Sequence, residues 1–395
     1  MPHREPNLET FQPYADESQI LRRHIHQYPE LGFEERQTAD LVARKLEEWG
    51  YQVTRGLGIT GLVGTLKRGN SPRTLGIRAD MDALPILENT QLPYSSQHEG
   101  IMHACGHDGH TAMLLGAAHY LADHACFDGT LHLIFQPAEE GLAGAQKMID
   151  DGLFKRFPCD AVFAMHNMPG FPQGQFVFGE GAFMASSDTV TITIHGKGGH
   201  GAMPKGTVDA VVVGASIVMA LQTIVARNLG AQEPGVITVG SFQSGMASNV
   251  IADSAVLKLS VRALDPQVRE LLEERIKTLV AAQAASYGAR IDIDYDHTYP
   301  VLVNQPEMTR FAKQVAQNLM GDSHPQQVID IPEPLMGSED FAFMLSQCPG
   351  SYLLLGNGQG ENSCMVHNPG YDFNDEIILR GIAYWSALTQ EFLKE

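Results

Sequence analysis

Basic residues are scarce in this sequence: 27 Lys and Arg stand against 46 Asp and Glu, a formal net charge of −19. That excludes a nucleic-acid binder that relies on a basic stripe to displace phosphate counterions. Cysteine is scarce too. The five cysteines, scattered from Cys105 to Cys364, are too few and too odd in number for a disulfide framework. No apolar run approaches the roughly 20 residues of a membrane span, and Met1 to Glu17 is polar, without the apolar core of a signal peptide. No low-complexity linker and no internal repeat is present. What remains is 395 residues, 44% apolar and 18% charged. Such a chain can bury sizeable cores in two or three domains and is not disordered. The expectation is an acidic cytoplasmic protein with neither nucleic-acid nor membrane partners. Its 16 histidines leave room for metal chemistry.

Periodicity predicts a helical segment from Asp16 to Gly50, broken at Tyr28-Pro29-Glu30-Leu31-Gly32, with Ala39, Val42, Leu46 and Trp49 on one stripe. Strands follow at Gly61–Leu66, Thr74–Ala79, Gly129–Phe135 and Ala161–His166, with a helix over Thr111–Asp123 between them. Strands alternating with helices predict an α/β layer with a largely parallel sheet. The pattern then changes to Thr189–His195, a helix over Val208–Arg227, strands Gly235–Phe242 and Asn249–Ala263, a helix over Pro266–Ser286 and a strand Arg290–His297. This β-α-β-β-α-β order is the split βαβ arrangement. Helices near Glu307–Leu319 and Asp375–Leu393 then resume the α/β pattern. One domain is therefore expected to interrupt another: residues 1–186 and 299–395 form the larger, residues 187–298 the smaller.

Two glycine runs invite a nucleotide reading and fail it. Gly56-Leu57-Gly58-Ile59-Thr60-Gly61 is followed by a strand-like stretch, whereas a dinucleotide site needs a helix opening at that turn. Gly196-Lys197-Gly198-Gly199-His200-Gly201 has no Ser or Thr after its lysine and is no Walker loop.

The segment Met102-His103-Ala104-Cys105-Gly106-His107-Asp108-Gly109-His110 is different, with one cysteine and three histidines in eight residues. Cys105 and His107, two apart, would face the same side of an extended segment and could grip one divalent ion. Gly106 and Gly109 would let the backbone turn closely around it. His103 and His110 read equally well as ligands or as plain polar residues. Glu139-Glu140 follows an apolar strand, at the edge where open α/β sheets place their sites. Adjacent carboxylates point in different directions, so one can ligate while the other acts as a base. His166 and His367 each sit in later loops or strand ends. Cys105, His107, one glutamate, His166 and His367 together suffice for two divalent ions about 3.5–4 Å apart. Asp80 and Asp82, near the end of a strand, could orient those ligands.

These motifs resemble the amidohydrolase branch of the aminoacylase/carboxypeptidase-type di-metal metallopeptidases, which includes hippurate hydrolases, N-acyl-amino-acid amidohydrolases and auxin-conjugate hydrolases. The resemblance covers nearly the whole chain. It runs through His26 to Glu35, Arg78 to Pro85, Met102 to Thr111, Phe135 to Glu140, His195 to Pro204, Met336 to Phe341 and Val366 to Pro369. It implies an α/β di-metal peptidase-like catalytic domain with an inserted ferredoxin-like βαββαβ lid and dimerisation domain. It also implies Cys105 as a bridging thiolate, His107, Glu140, His166 and His367 as the other metal ligands, and Glu139 as general base towards the attacking water. Relatives outside this branch carry His-x-Asp where this chain has Asp80 and Asp82, so Asp82 keeps the orienting role and Asp80 replaces a ligand. His200 matches a histidine that reaches the partner subunit's site and steadies the oxyanion, and Asn249 and Arg262 match holders of the substrate's free carboxylate. The cofactors implied are two divalent ions per subunit, Zn²⁺ or Mn²⁺, with Ni²⁺ or Co²⁺ as alternatives because thiolate favours softer ions. The implied assembly is a homodimer, with a homotetramer as the larger alternative. The expected activity is hydrolysis of the amide bond of small N-acyl amino acids; a dipeptidase or carboxypeptidase would share every site residue. A binding module without turnover fits poorly with the presence of both Glu139 and His200. A zinc deaminase lacks its H-x-E and P-C-x-x-C signature here.

Overall fold

Apolar runs too short for helices assemble into the central sheet. The computed structural model describes residues 8–124, 126–321, 324–360 and 363–394. The chain divides into two units: Met1–Gly181 with Val303–Glu333 and Asp340–Glu395, and Ala182–Leu302 with Pro334–Glu339. In the first unit an eight-stranded sheet runs in the order Gln52–Leu57, Gly61–Arg68, Gly129–Gln136, Thr74–Asp80, Ala161–Pro169, Gly350–Gly358, Phe176–Phe178 and Val328–Asp330. The four middle strands are mutually parallel. Towards the edges, three of the seven pairings are antiparallel, so the sheet is mixed rather than largely parallel. The hairpin of the first two strands explains part of this: Gly58 to Thr60 is too short for a crossover, which a parallel pair requires. That hairpin also removes any helix from the Gly56–Gly61 motif.

The helix His107–His124 is buried on every side from His107 to Ala118. It packs beneath the helices Gln12–Gln27 and Ile378–Phe392, and its apolar circumference matches that placement. It starts four residues earlier than periodicity predicts, because Gly109 hides the first turn. On the helix Arg36–Glu48, Thr38, Ala39, Val42, Ala43 and Leu46 form the buried stripe, and Gly50, with φ 82°, follows its end.

In the second unit the strands Ser187–His195, Gly235–Ser244, Ser254–Ala263 and Arg290–Tyr299 form an antiparallel sheet. Its spatial order places the second and third strands on one side of the first and the fourth on the other, which is the ferredoxin-like arrangement. The predicted strand Asn249–Ala263 is broken; Val250–Ile251 leaves the main sheet to pair with Gly199–His200. Two helices cover one face. Asp209 caps Ala210–Asn228 by accepting from the Val211 and Val212 amides, and Asp265 does the same for Pro266–Tyr287. The first of these corrects the expectation about apolar runs: among the described residues it alone is long and apolar enough, by length and composition, to cross a membrane. Val213, Ile217, Leu221 and Ile224 form its buried stripe, whereas Val211, Val212 and Met219 are exposed.

Candidate metal centre

The site is built at the carboxyl ends of the parallel strands, as elementary α/β geometry dictates. Asp80 ends one strand, Glu139 stands three residues beyond Gln136 at the end of another, and His166 lies towards the end of a third. Cys105 and His107 do not lie on an extended segment as expected; His107 is the first residue of its helix and Cys105 stands just before it. Gly106 makes the corner with φ 101°, and any Cβ there would run into Asn167 and the Tyr371 hydroxyl.

The two buried imidazoles are prepared in the same way. His107 Nδ1 donates to the Asp82 carbonyl at 2.9 Å and to its carboxylate Oδ1 at 3.1 Å. His107 Nε2 is buried without a hydrogen-bond partner among the described residues. His166 Nδ1 donates to the Asn167 carbonyl at 2.5 Å, and its Nε2 lies 3.2 Å from Cys105 Sγ. With Nδ1 committed as a donor, each Nε2 is the nitrogen left to face an ion. Ligand atoms of Cys105, His107 and His166 lie within 4.8 Å of one another, as do those of Cys105, Glu140 and His367, and of His107, Glu139 and Glu140. Cys105, His107 and Glu140 each belong to two of these sets, so the donor groups adjoin one another. His367 is the most exposed member; its Nε2 is 3.0 Å from Glu140 Oε1.

The backbone around Glu139 and Glu140 is irregular, and both carboxylates come within 4.8 Å of the His107 ring. Ala138, Gly141 and Ala143 all have positive φ, and Glu140 leaves helical geometry at φ −73°, ψ 81°. The Glu140 amide donates to Asp82 Oδ2 at 2.9 Å, so Asp82 ties His107 and the glutamate turn together. The Asp340 amide reaches Glu139 Oε1 at 3.3 Å.

The charge balance fits a cation. Burial pushes the Cys105 thiol well up, and the nearby Glu140, Glu139 and Asp80 add to it. His166 is held well below its ordinary range by burial and by His110, which keeps it neutral and fit to ligate. Burial opposes charge on His107 as well, but Asp80 and Asp82 outweigh it and push the ring up to about 10. A thiol, several carboxylates, the neutral imidazole of His166 and the ring of His107, whose Nε2 proton a divalent ion would replace, are a donor set for borderline and soft divalent ions.

Asp80, whose carboxylate also lies within 4.8 Å of ligand atoms of His107 and His110, is held in a hydrogen-bonded frame. It accepts from Arg78 Nη1 and from His110 Nδ1, both at 2.6 Å. Burial raises its carboxyl, yet Arg78, His107 and His110 hold it well below the usual range. Arg78 also donates to Gln136 and Asp340, and His110 Nε2 meets Asn167. This buried frame was legible only in part: Arg78 and Asp80 alternate on one strand, but nothing in the sequence joins Gln136, Asp340 or Tyr371 to them. His103 is buried with both ring nitrogens unpartnered among the described residues, and burial lowers it to about 4.

His200, Asn249 and Arg262 belong to the other unit. His200 is exposed, and its Nδ1 accepts from the Ala202 amide at 3.1 Å. Asn249 is exposed, and its carbonyl accepts from the Gly201 amide at 2.8 Å. Arg262 lies on the strand Ser254–Ala263, with Nη1 buried and unpartnered among the described residues.

Residues 76–391 match the profile of peptidase family M20/M25/M40. The chain belongs to that family. It is 46% identical over 378 residues to a hippurate hydrolase of Campylobacter jejuni, covering 96% of this chain and 97% of that one. It is 37% identical to thermostable carboxypeptidase 1 of Saccharolobus solfataricus, covering 94% of each. A solved Bacillus subtilis protein, described as a dinuclear metal binding peptidase from the M20 family, superposes with a TM-score of 0.83 at 31% identity, covering 97% of this chain and 99% of that one. Membership of this family makes the protein a metal-dependent hydrolase, and a dinuclear site accords with its donor set.

Proposed function

We propose that this M20 amidohydrolase cleaves hippurate-like N-acyl amino acids into a carboxylic acid and an amino acid. The observation that carries this reading is the cluster in which Cys105, His107, Glu140, His166 and His367 form overlapping donor sets with Glu139 beside them. The identity with a hippurate hydrolase over almost the whole of both chains supports it. Cys105, His107, Glu140, His166 and His367 are assigned as ligands of two divalent ions, Zn²⁺ or Mn²⁺ by preference, which when bound polarise the amide carbonyl and acidify water. Glu139, held towards the Asp340 amide and assigned as the base rather than a ligand, takes the proton from the attacking water at its carboxylate and delivers it to the departing nitrogen. Asp82 orients His107. His200 is assigned as a donor to the developing oxyanion in a partner subunit, and Asn249 and Arg262 as the grip on the substrate carboxylate, all within a cytoplasmic homodimer.

Glu139→Gln tests the base directly. Metal content is expected to stay at the wild-type level while turnover falls by about 10²–10⁴; near-normal turnover would sink the assignment. A panel of N-acyl amino acids against dipeptides, assayed with Mn²⁺, Zn²⁺, Co²⁺ and Ni²⁺, separates amidohydrolase from peptidase specificity. Preference for dipeptides would refute the substrate class.

A further inference from the structure

The block His26 to Glu35 takes no part in the chemistry described so far, yet its last residue is fully buried. Glu35 is 0% exposed and stands immediately before the helix Arg36–Glu48, in the position of its N-cap. A carboxylate there ordinarily accepts from the first helical amides. Glu35 makes no such bond. Glu30 does that work instead, accepting from the Gln37 amide at 3.0 Å and the Thr38 amide at 2.9 Å. The Glu35 carboxyl is spent elsewhere: Oε1 accepts from the Ala138 amide at 2.8 Å, and Oε2 from the Thr60 hydroxyl at 2.5 Å.

Ala138 is the residue before Glu139 and is left-handed, at φ 54°, ψ 46°. A non-glycine residue in that region costs roughly 1–2 kcal/mol and persists only where its surroundings impose it. Two contacts from the same loop impose it. The first is the Glu35 hydrogen bond. The second is Gly32, where a Cβ would come within 3.0 Å of Ala138 Cβ and 2.8 Å of Leu142 Cδ1. The loop also grips the other side of the site. The Ala83 amide donates to the Glu30 carbonyl at 2.8 Å, and Leu31 bridges Ala83 in parallel fashion. Ala83 follows Asp82, whose Oδ2 receives the Glu140 amide.

We propose that Glu35 is a positioning residue for the reaction: its hydrogen bond to the Ala138 amide locks the left-handed turn that sets Glu139 beside the proposed ligands His107 and Glu140. This inference rests on Glu139 being the base. Removing the carboxyl frees the turn to relax, and displacing a catalytic group by about 1 Å costs on the order of 10²-fold in rate. Ground-state substrate binding draws on other residues and is spared.

The test uses the metal-loaded protein and the best substrate of the panel above. Glu35→Ala is expected to lower kcat by about 10- to 100-fold, with KM within threefold of wild type and metal stoichiometry unchanged. Glu35→Gln, which can still accept from the Ala138 amide and donate to Thr60, should recover most of the rate; a general loss of packing would not be repaired so selectively. If the alanine variant does not fold, Gly32→Ala decides, since its methyl group presses on Ala138 with Glu35 intact and should show the same kcat-selective loss. In a Glu139→Gln background, Glu35→Ala should remove little further rate, because both changes act on one group. Unchanged kcat in folded Glu35→Ala overturns the proposal, as does metal loss matching the rate loss, or a glutamine variant as impaired as the alanine one. High activity of Glu139→Gln alone would instead overturn the reading of the base. The two failures are distinct.

Discussion

Replacing Asp82 by Asn changes one atom and should cost the protein its grip on metal. The Asp82 carboxylate accepts twice, from His107 Nδ1 at 3.1 Å through Oδ1 and from the Glu140 amide at 2.9 Å through Oδ2. Both donors are fixed in place. An asparagine offers one acceptor oxygen and one NH₂ group. Turned one way, the NH₂ faces the Glu140 amide and leaves a donor against a donor at a proposed ligand. Turned the other way, it faces His107 Nδ1 and favours the tautomer that carries its proton on Nε2, the nitrogen needed for ligation. A hydrogen bond to a charged acceptor contributes about 1.5–3 kcal/mol, or roughly 10- to 150-fold in affinity. Loss of a residue that orients a ligand typically costs about 10–100-fold, which agrees. The His107 bond to the Asp82 carbonyl at 2.9 Å remains, so the effect should stay within that range. The assay is competition of the metal-free protein against a chromophoric chelator for Zn²⁺ and for Mn²⁺, with circular dichroism to establish that the variant folds. Metal affinity within twofold of wild type in a folded Asp82→Asn variant would refute the argument.

Three further outcomes follow from the geometry. Cys105→Ala removes the atom shared by two donor sets, so elemental analysis should find both ions depleted; full occupancy would refute a bridging role. Gly109→Ala drives a methyl group into the buried Phe373 ring and should destabilise by about 1–3 kcal/mol or more, read as a lower midpoint in urea unfolding; an unchanged midpoint would show that Phe373 can yield. His26 gives a pH dependence: burial opposes its charge, but hydrogen bonds to Asp108 and Glu88 prevail and raise it from 6.5 to about 9. A raised folded value means stability fully present below about pH 6.5 and lost as pH rises through 9, on the order of 3 kcal/mol in all. His26→Asn should flatten urea-unfolding stability between those limits, and a slope equal to wild type would count against the pairing.

Much of the arrangement could be read from residue order, and the exceptions have physical causes. The alternation of apolar runs located the inner strands, yet Gly350–Gly358 escaped notice although it is central, because Tyr352-Leu353-Leu354-Leu355 has no alternation to betray a strand buried on both faces. The broken ladder at Ala252 and Asp253 is invisible to periodicity, since residues on both sides alternate as a strand would. In the site, the Cys-Gly-His spacing drew attention to the right residues for a reason that does not hold: their juxtaposition comes from a corner at Gly106 and a helix start, not from an extended segment. The network of Arg78, Gln136 and Asp340 joins residues up to 262 positions apart, and only the folded chain brings them together.

The interruption of the first unit also sets an order on its birth. The strand Ala161–Pro169 leaves the ribosome long before Gly350–Gly358, the neighbour that completes its hydrogen bonding on one side. Between them the entire second unit is translated, and it has its own apolar core and can fold ahead. Throughout that interval the nascent sheet carries an open edge next to His166, a surface that invites pairing with other chains. His367 emerges later still. Metal capture by all five proposed ligands therefore waits until the second unit and the strand Gly350–Gly358 have both been made.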